Sequence, residues 1–277
     1  MGSSLKRRWD GGVGASPSPS PSPREVVSAA KACADPFGGV DVDGEEAVRP
    51  LGEEGGEGCL WHCSASDLGE ERREAVFELT KRHMAPVYGP AWKDAAKRRE
   101  LFAPSARYVV SPGPGGGSGP ALKGFVHFRF VVDQGVAVVY VYELQVDVGA
   151  RGKGLGSRLM ALMEKLAHRH GLSGVVLTVQ HLANPRADAF YRQALGYVPH
   201  PLCPTQSGFK DGGEAPAYAI LAKWRDKAAE AKLEEAAKKV RAKEEEGEEE
   251  GSRGEGGKQA EETGPPAPRR TPRQRTS

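Results

Sequence analysis

The chain has 277 residues, with 39 Lys and Arg against 37 Asp and Glu, and a formal charge of +2. That near balance argues against a molecule that binds nucleic acid over its whole surface. No apolar run reaches the ~20 residues that span a bilayer, and no secretory leader is visible. Four cysteines (Cys33, Cys59, Cys63, Cys203) form no paired framework. Cys59-Leu-Trp-His62-Cys63 lacks the second half of a zinc set, so a reduced compartment and no metal are expected.

Residues 1–58 are poor in large apolar side chains and read as a low-complexity, mostly disordered region. Ser16–Pro23 alternates Ser and Pro, which favours extended chain, and one short helix is possible over 24–38. The folded domain is expected over 59–225. Residues 60–66 read as a strand, 69–84 as a helix with Ala75, Val76, Leu79 and His83 or Met84 on one face, and 92–102 as a charged helix. Residues 107–111 read as a strand and 112–120 as a glycine-rich connection. Two β-rich runs, 122–132 and 136–146, flank Asp133-Gln134-Gly135 and should pair antiparallel. Leu155, Leu159, Leu162, Met163 and Leu166 recur at helical spacing, and Gly171 closes that helix. Residues 175–180 are an apolar strand of the buried kind, 184–195 a helix, 196–198 the start of a strand, and 218–224 the last strand. Residues 226–277 open with an Ala/Lys/Glu helix, expected to be a solvated extension, and end in acidic and basic tails expected to be disordered.

The order β-α-α-β-β-β-α-β-α-β-β implies an α/β fold, with a mixed, mostly antiparallel twisted sheet and helices on both faces. Strand 136–146, helix 154–170 and strand 175–180 form a βαβ unit, whose two strands should be parallel. Between the first strand and the helix lies Arg151-Gly-Lys-Gly154-Leu-Gly156. A helix start leaves backbone N–H groups unpaired at the positive end of the peptide dipoles, and glycines let an anion come close. The turn is not a P-loop, because Lys153 is followed by Gly154. It is not the G-x-G-x-x-G dinucleotide fingerprint either, because its glycines fall at 152, 154 and 156.

R-x-x-G-x-G resembles the pyrophosphate loop of acetyl-CoA-dependent GNAT acetyltransferases. Further stretches are similar, more narrowly, to the histone-specific N-terminal acetyltransferases, the type D family. They are Phe77-Glu-Leu-Thr-Lys81, Trp92-Lys-Asp94 followed by Lys97-Arg-Arg-Glu100, His127-Phe-Arg-Phe130, Tyr140-x-Tyr-Glu-Leu-Gln145, Leu177-Thr-Val179, Phe190-Tyr-Arg192, Ser207-Gly208 and Tyr218-Ala-Ile-Leu221. The resemblance covers 59–225 and implies the GNAT fold. It also implies acetyl transfer from acetyl-CoA to the α-amine of proteins starting Ser-Gly-Arg-Gly, as histone four and histone two-A do. Acetyl-CoA is the implied cosubstrate, along Leu144, Gln145 and Val146. Its pyrophosphate would lie at Arg151, Gly152, Lys153, Gly154, Leu155, Gly156 and Ser157, with Asn184 farther along. The substrate terminus would meet Tyr88, Trp92, Tyr142, Thr178 and Tyr218. The family carries an acid directly after HFRF. Val131 stands there in this chain, and Asp133, on the same strand face, is the candidate replacement. Histone tails are the implied partners and cytoplasm plus nucleus the implied location. The charged tails, including Lys6–Arg8 and Arg269–Arg275, are candidate contacts to ribosome or chromatin, and the chain is expected to be a monomer.

An α-amine has a pKa near 8, against about 10.4 for lysine, so about a tenth of N-termini but only roughly one lysine in two thousand is uncharged at neutral pH. A modest base suffices. Glu143 is the candidate, acting through water, or else a strand carboxylate paired with a cation. Alternation puts Tyr142 on the opposite face from Glu143, so one of them must act at a bulge. Tyr142 is either a substrate hydrogen-bonder or a core aromatic. A backbone N–H near Leu144 is the candidate oxyanion donor. Tyr191 is the candidate acid for the leaving thiolate, or core packing. Asp133, Asp211 and Glu214 are candidates for the substrate arginine.

Overall fold

The computed structural model describes residues 20–38, 40–42, 45–46, 48–52, 59–113, 120–204, 216–225, 227–235 and 237–239. The expectations for Lys6–Arg8, the Ser/Pro run up to residue 19, Ser207-Gly208, Asp211, Glu214 and the tail from 240 lie outside these residues.

Helix α1 (Pro23–Ala32) opens with a capping box. Ser22 Oγ accepts from Glu25 N–H, Glu25 accepts from Ser22 N–H, and Pro23 pre-sets the first turn. Short strands β1 (Asp41–Val42) and β2 (Glu45–Glu46) pair with each other. The main sheet then takes β3 (Val48–Pro50), β4 (Leu60–Ser64), β5 (Arg107–Pro112), β6 (Leu122–Asp133), β7 (Val136–Val146), β8 (Gly174–Val179), β9 (Val198–Pro199) and β10 (Ala219–Trp224). Its order is β3-β4-β5-β6-β7-β8-β10-β9, antiparallel except at β3/β4 and β7/β8. This is the GNAT fold that the sequence implies. The β6–β7 turn is tight, with Gln134 and Gly135 at φ 45° and 80°, the backbone that two-residue hairpins require.

Helices α2 (Glu70–Tyr88) and α3 (Asp94–Leu101) cover one face over Trp61, Val76, Phe77, Leu101, Tyr108 and Phe125. Helix α4 (Leu155–Arg169) covers the other, with Leu159, Leu162, Met163 and Leu166 against Val126, Phe128, Val139 and Leu177. Helix α5 (Pro185–Ala189) runs directly into a π-turn at Phe190–Ala194.

Two boundaries differ from the sequence reading. The packed body starts well before residue 59: Val27, Ala30, Phe37, Val40 and Val48 lie in the core with α4, and β3 extends the sheet. A few apolar residues in a polar stretch were enough, because α1 presents Val27 and Ala30 on one stripe. The charged helix after 226 is not merely a solvated extension. Residues 227–235 and 237–239 are helical, and Ala229, Leu233 and Ala237 are buried, Leu233 against Val136, Val138, Val176 and Ala222. One leucine between two alanines, at i, i+4 and i+8, gives this helix a narrow apolar seam that mean hydropathy hides.

Candidate active site

Strands β7 and β8 pair over only three rows, Val139–Val175 to Val141–Leu177. The ladder ends at Val141–Leu177, and beyond it the strands part. Tyr140 Oη and Thr178 Oγ1, 2.8 Å apart, bridge the two strands where they separate. On the other side of β7 the register skips: His127 faces Glu143 and Phe128 faces Val141, which leaves Tyr142 as the extra residue of a bulge. The bulge resolves the alternation problem. The Tyr142 ring stacks on His127 (5.1 Å, 25°) while Glu143 pairs with His127, so both side chains reach the face covered by α2 and α3. His127 in turn stacks on Tyr108 at 5.0 Å, and the Arg129 guanidinium lies 4.1 Å from the Tyr142 ring centre. Burial, then Arg129 and Lys97, push the His127 pKa well below its ordinary value, so this imidazole is neutral.

Glu143 is 6 % exposed, and both its oxygens are engaged. Oε1 accepts from Lys97 Nζ at 2.9 Å, and Oε2 accepts from Gln145 Nε2 at 2.7 Å. Lys97 also donates to Glu100 Oε1 at 2.6 Å. Burial alone disfavours the Lys97 charge, yet Glu143 and Glu100 outweigh it and hold its pKa above the ordinary value. Lys97 Nζ sits 5.6 Å from the Tyr88 ring centre and 6.0 Å from that of Trp92, and those two rings are 6.1 Å apart. Tyr88, at the end of α2, reaches across to Gln180 at the end of β8. The two rings therefore form an aromatic roof beside the Lys97 ammonium that pairs with Glu143.

Below the gap lies the start of α4. Gly152 and Gly154 have φ of 72° and 81°, and a Cβ at either would meet nothing within 4 Å. Helix α4 has no side-chain cap, and its first helical bond is Arg158 N–H to Gly154 O. The N–H groups of Leu155, Gly156 and Ser157 thus point out of the helix end toward open space, the arrangement a diphosphate needs. Gly156 serves packing instead: a Cβ there would come within 3.3 Å of the Phe190 ring. Arg151 Nε donates to Val146 O (2.9 Å), and Lys153 Nζ donates to Gly149 O (2.9 Å). These residues fit the 3′-phospho-ADP end of coenzyme A at its diphosphate, and the parted strands fit an extended pantetheine arm.

The structure brings together Tyr88, Trp92, Tyr142, Glu143 and Thr178. Tyr218 joins them at the mouth, since the next residue, Ala219, pairs with Val179. Tyr191 is buried on the π-turn, close enough for Glu143 to add to burial in raising its pKa, so it keeps its proton. π-Turns are frequent at functional sites. Asp133 does not join the site. Straight β6–β7 pairing carries it to the hairpin tip, six residues or about 20 Å from the His127–Glu143 pair. There it lies 3.7 Å from His200, and burial raises its pKa. The Asn184 side chain caps α5, accepting from Ala187 N–H at 3.2 Å. Sequence reasoning missed Lys97, Glu100, Arg129 and His83 as site residues. Local signals were Lys97-Arg-Arg-Glu100 and His127-Phe-Arg-Phe130, both within the resemblance, but neither stretch by itself gives Lys97, Glu100 or Arg129 a role.

A sheet opened at one parallel pair, with a phosphate cradle below and a buried carboxylate above, defines a coenzyme A-dependent acyltransferase. Residues 73–197 match the Acetyltransferase (GNAT) family, and the cosubstrate that goes with this match is acetyl-CoA. Among solved structures the chain is similar to a NatC complex bound to Gag peptide and CoA (12% identity, covering 60% of this chain and 99% of that one, TM-score 0.43). It is also similar to Arabidopsis thaliana NAA60 with a bisubstrate analogue (13%, 60% and 97%, 0.41). A third is aminoglycoside 6'-acetyltransferase type Ii (19%, 60% and 96%, 0.44).

Proposed function

We propose that this acetyltransferase modifies the N-terminal α-amine of proteins, and that its substrates start Ser-Gly-Arg-Gly, as two core histones do. The observation that supports the first half is the buried carboxylate Glu143, paired with Lys97 at 2.9 Å beside the Tyr88 and Trp92 rings. A carboxylate that works through water is a modest proton acceptor. It suits an α-amine, of which about a tenth is already neutral near pH 7, and not lysine.

Bound acetyl-CoA supplies an activated acetyl thioester. Glu143 draws the substrate amine into the gap and takes its proton through water. Tyr142, fixed by His127 and Arg129, orients the terminus. A main-chain N–H near Leu144 stabilises the oxyanion. Tyr191, kept protonated by burial, returns a proton to the departing thiolate.

The selectivity for arginine at the third position rests on the sequence resemblance. A second reading, acetylation of other N-termini, is favoured by Asp133 lying at the hairpin tip and Val131 standing after Phe130. Incubating the protein and acetyl-CoA with a Ser-Gly-Arg-Gly peptide, its N-blocked form and peptides with other termini, read by mass spectrometry, separates the two. Acetyl on the α-amine of the first peptide alone supports the histone reading. Equal rates on unrelated termini support the broader one, and acetylation of lysine in an N-blocked Ser-Gly-Arg-Gly peptide extended with a lysine refutes both.

A further inference from the structure

An unbroken run of hydrogen bonds joins the phosphate loop to the buried carboxylate. Arg151 Nη2 lies 3.1 Å from His83 Nε2, His83 Nδ1 lies 2.9 Å from Gln145 Oε1, and Gln145 Nε2 lies 2.7 Å from Glu143 Oε2. A guanidinium only donates, and a carboxylate only accepts. With both ends fixed, so is every bond between them. Gln145 must donate to Glu143 and accept from His83 Nδ1–H, and His83 Nε2 must accept from Arg151. Only a neutral imidazole with its proton on Nδ1 satisfies the chain. Burial first, then Arg151 and Arg82, favour that neutral form over the opposing pull of Asp147 and Gln145. Lys97 fills the other carboxylate oxygen, so the run has no alternative end. At the far end Arg151 is held at two points, His83 and the Val146 carbonyl.

We propose that His83 is a positioning residue that couples the proton state of Glu143 to the Arg151 arm of the phosphate loop. This rests on the reading above, in which Glu143 takes up the amine proton and the loop holds the diphosphate. Once Oε2 carries a proton it is a donor and meets the donor face of Gln145. The Gln145 amide turns over and presents its oxygen to Glu143 and its NH2 to His83. The imidazole then gives its Nδ1 proton to water and takes one at Nε2, with no change of charge. Two donors now face each other at Arg151, and that contact is lost. Each proton taken from substrate therefore loosens one brace of the loop that holds the cofactor.

The test uses the full chain. Glu143→Gln mimics the protonated acid, because its oxygen must face Lys97 and its NH2 must face Gln145. Nitrogen-15 NMR of the His83 ring in the free protein should show the Nδ1–H tautomer in wild type and Nε2–H in Glu143→Gln. Calorimetry with CoA should show Glu143→Gln binding about three- to tenfold more weakly, although Glu143 lies away from the diphosphate. In a His83→Leu background the same change should have no further effect. His83→Gln, whose amide can both donate and accept, should bind CoA like wild type. An unchanged tautomer in Glu143→Gln, or equal sensitivity to it with and without His83, overturns the coupling. Wild type that binds no CoA overturns the acetyltransferase reading instead, and the tautomer, read without cofactor, still decides the coupling.

Discussion

Truncation after residue 225 should destabilise the domain by about 2 kcal/mol, although Leu233 and Val240 are the only large apolar residues it removes. The magnitude follows from Leu233, which is 0 % exposed against Val136, Val138, Val176 and Ala222. Burying a leucine fully is worth about 1.5–3 kcal/mol, and two buried alanines add a little. Ordering the helix opposes this, because a helix of this length is marginal alone. Leu233→Ala in a rigid core would cost about 2–5 kcal/mol. Here the helix can undock as a unit, so the loss is capped at the docking free energy. Leu233→Ala and the truncation should therefore shift the urea midpoint by nearly the same amount. Both should leave the far face of the sheet protected from hydrogen exchange. A truncated chain as stable as the full one would refute the docking. A Leu233→Ala protein several kcal/mol less stable than the truncated chain would refute the capping argument.

Gly154→Asp should lower CoA affinity at least tenfold by calorimetry, since it puts a carboxylate at an uncapped helix start and forces a side chain into φ 81°. Lys97→Met strips Glu143 of its cation. It should destabilise the fold by up to about 3–5 kcal/mol in urea, because it leaves a buried carboxylate without its partner. Adding Glu143→Gln to that variant should restore most of the stability. Burial pulls the His200 pKa down from 6.5 to about 4, so its native state resists protonation. The resulting stability is complete above pH 6.5 and fades as the pH falls toward 4, by about 3 kcal/mol over that window. Denaturation curves of His200→Asn should show a shallower acid decline.

The element order, the βαβ unit and the phosphate turn were legible in the chain, because each is written in local pattern. Leu155 to Leu166 repeat at helical spacing, 136–146 is continuously β-forming, and Gly152 and Gly154 stand where only positive φ serves. Even the need for a bulge near Tyr142 follows from strict alternation. Its place does not, because a skipped register belongs to the pairing of β6 with β7 and leaves no mark in either strand alone. The same limit hid the pairing of Lys97 with Glu143, 46 positions apart, and the run from His83 to Gln145, 62 positions apart. It made Asp133 look like a neighbour of the site when hairpin geometry carries it away. Local sequence thus determined which elements form and where an anion can rest. Only the folded sheet decided which side chains meet around the carboxylate, because those contacts depend on register and helix placement, which are properties of the assembled layers.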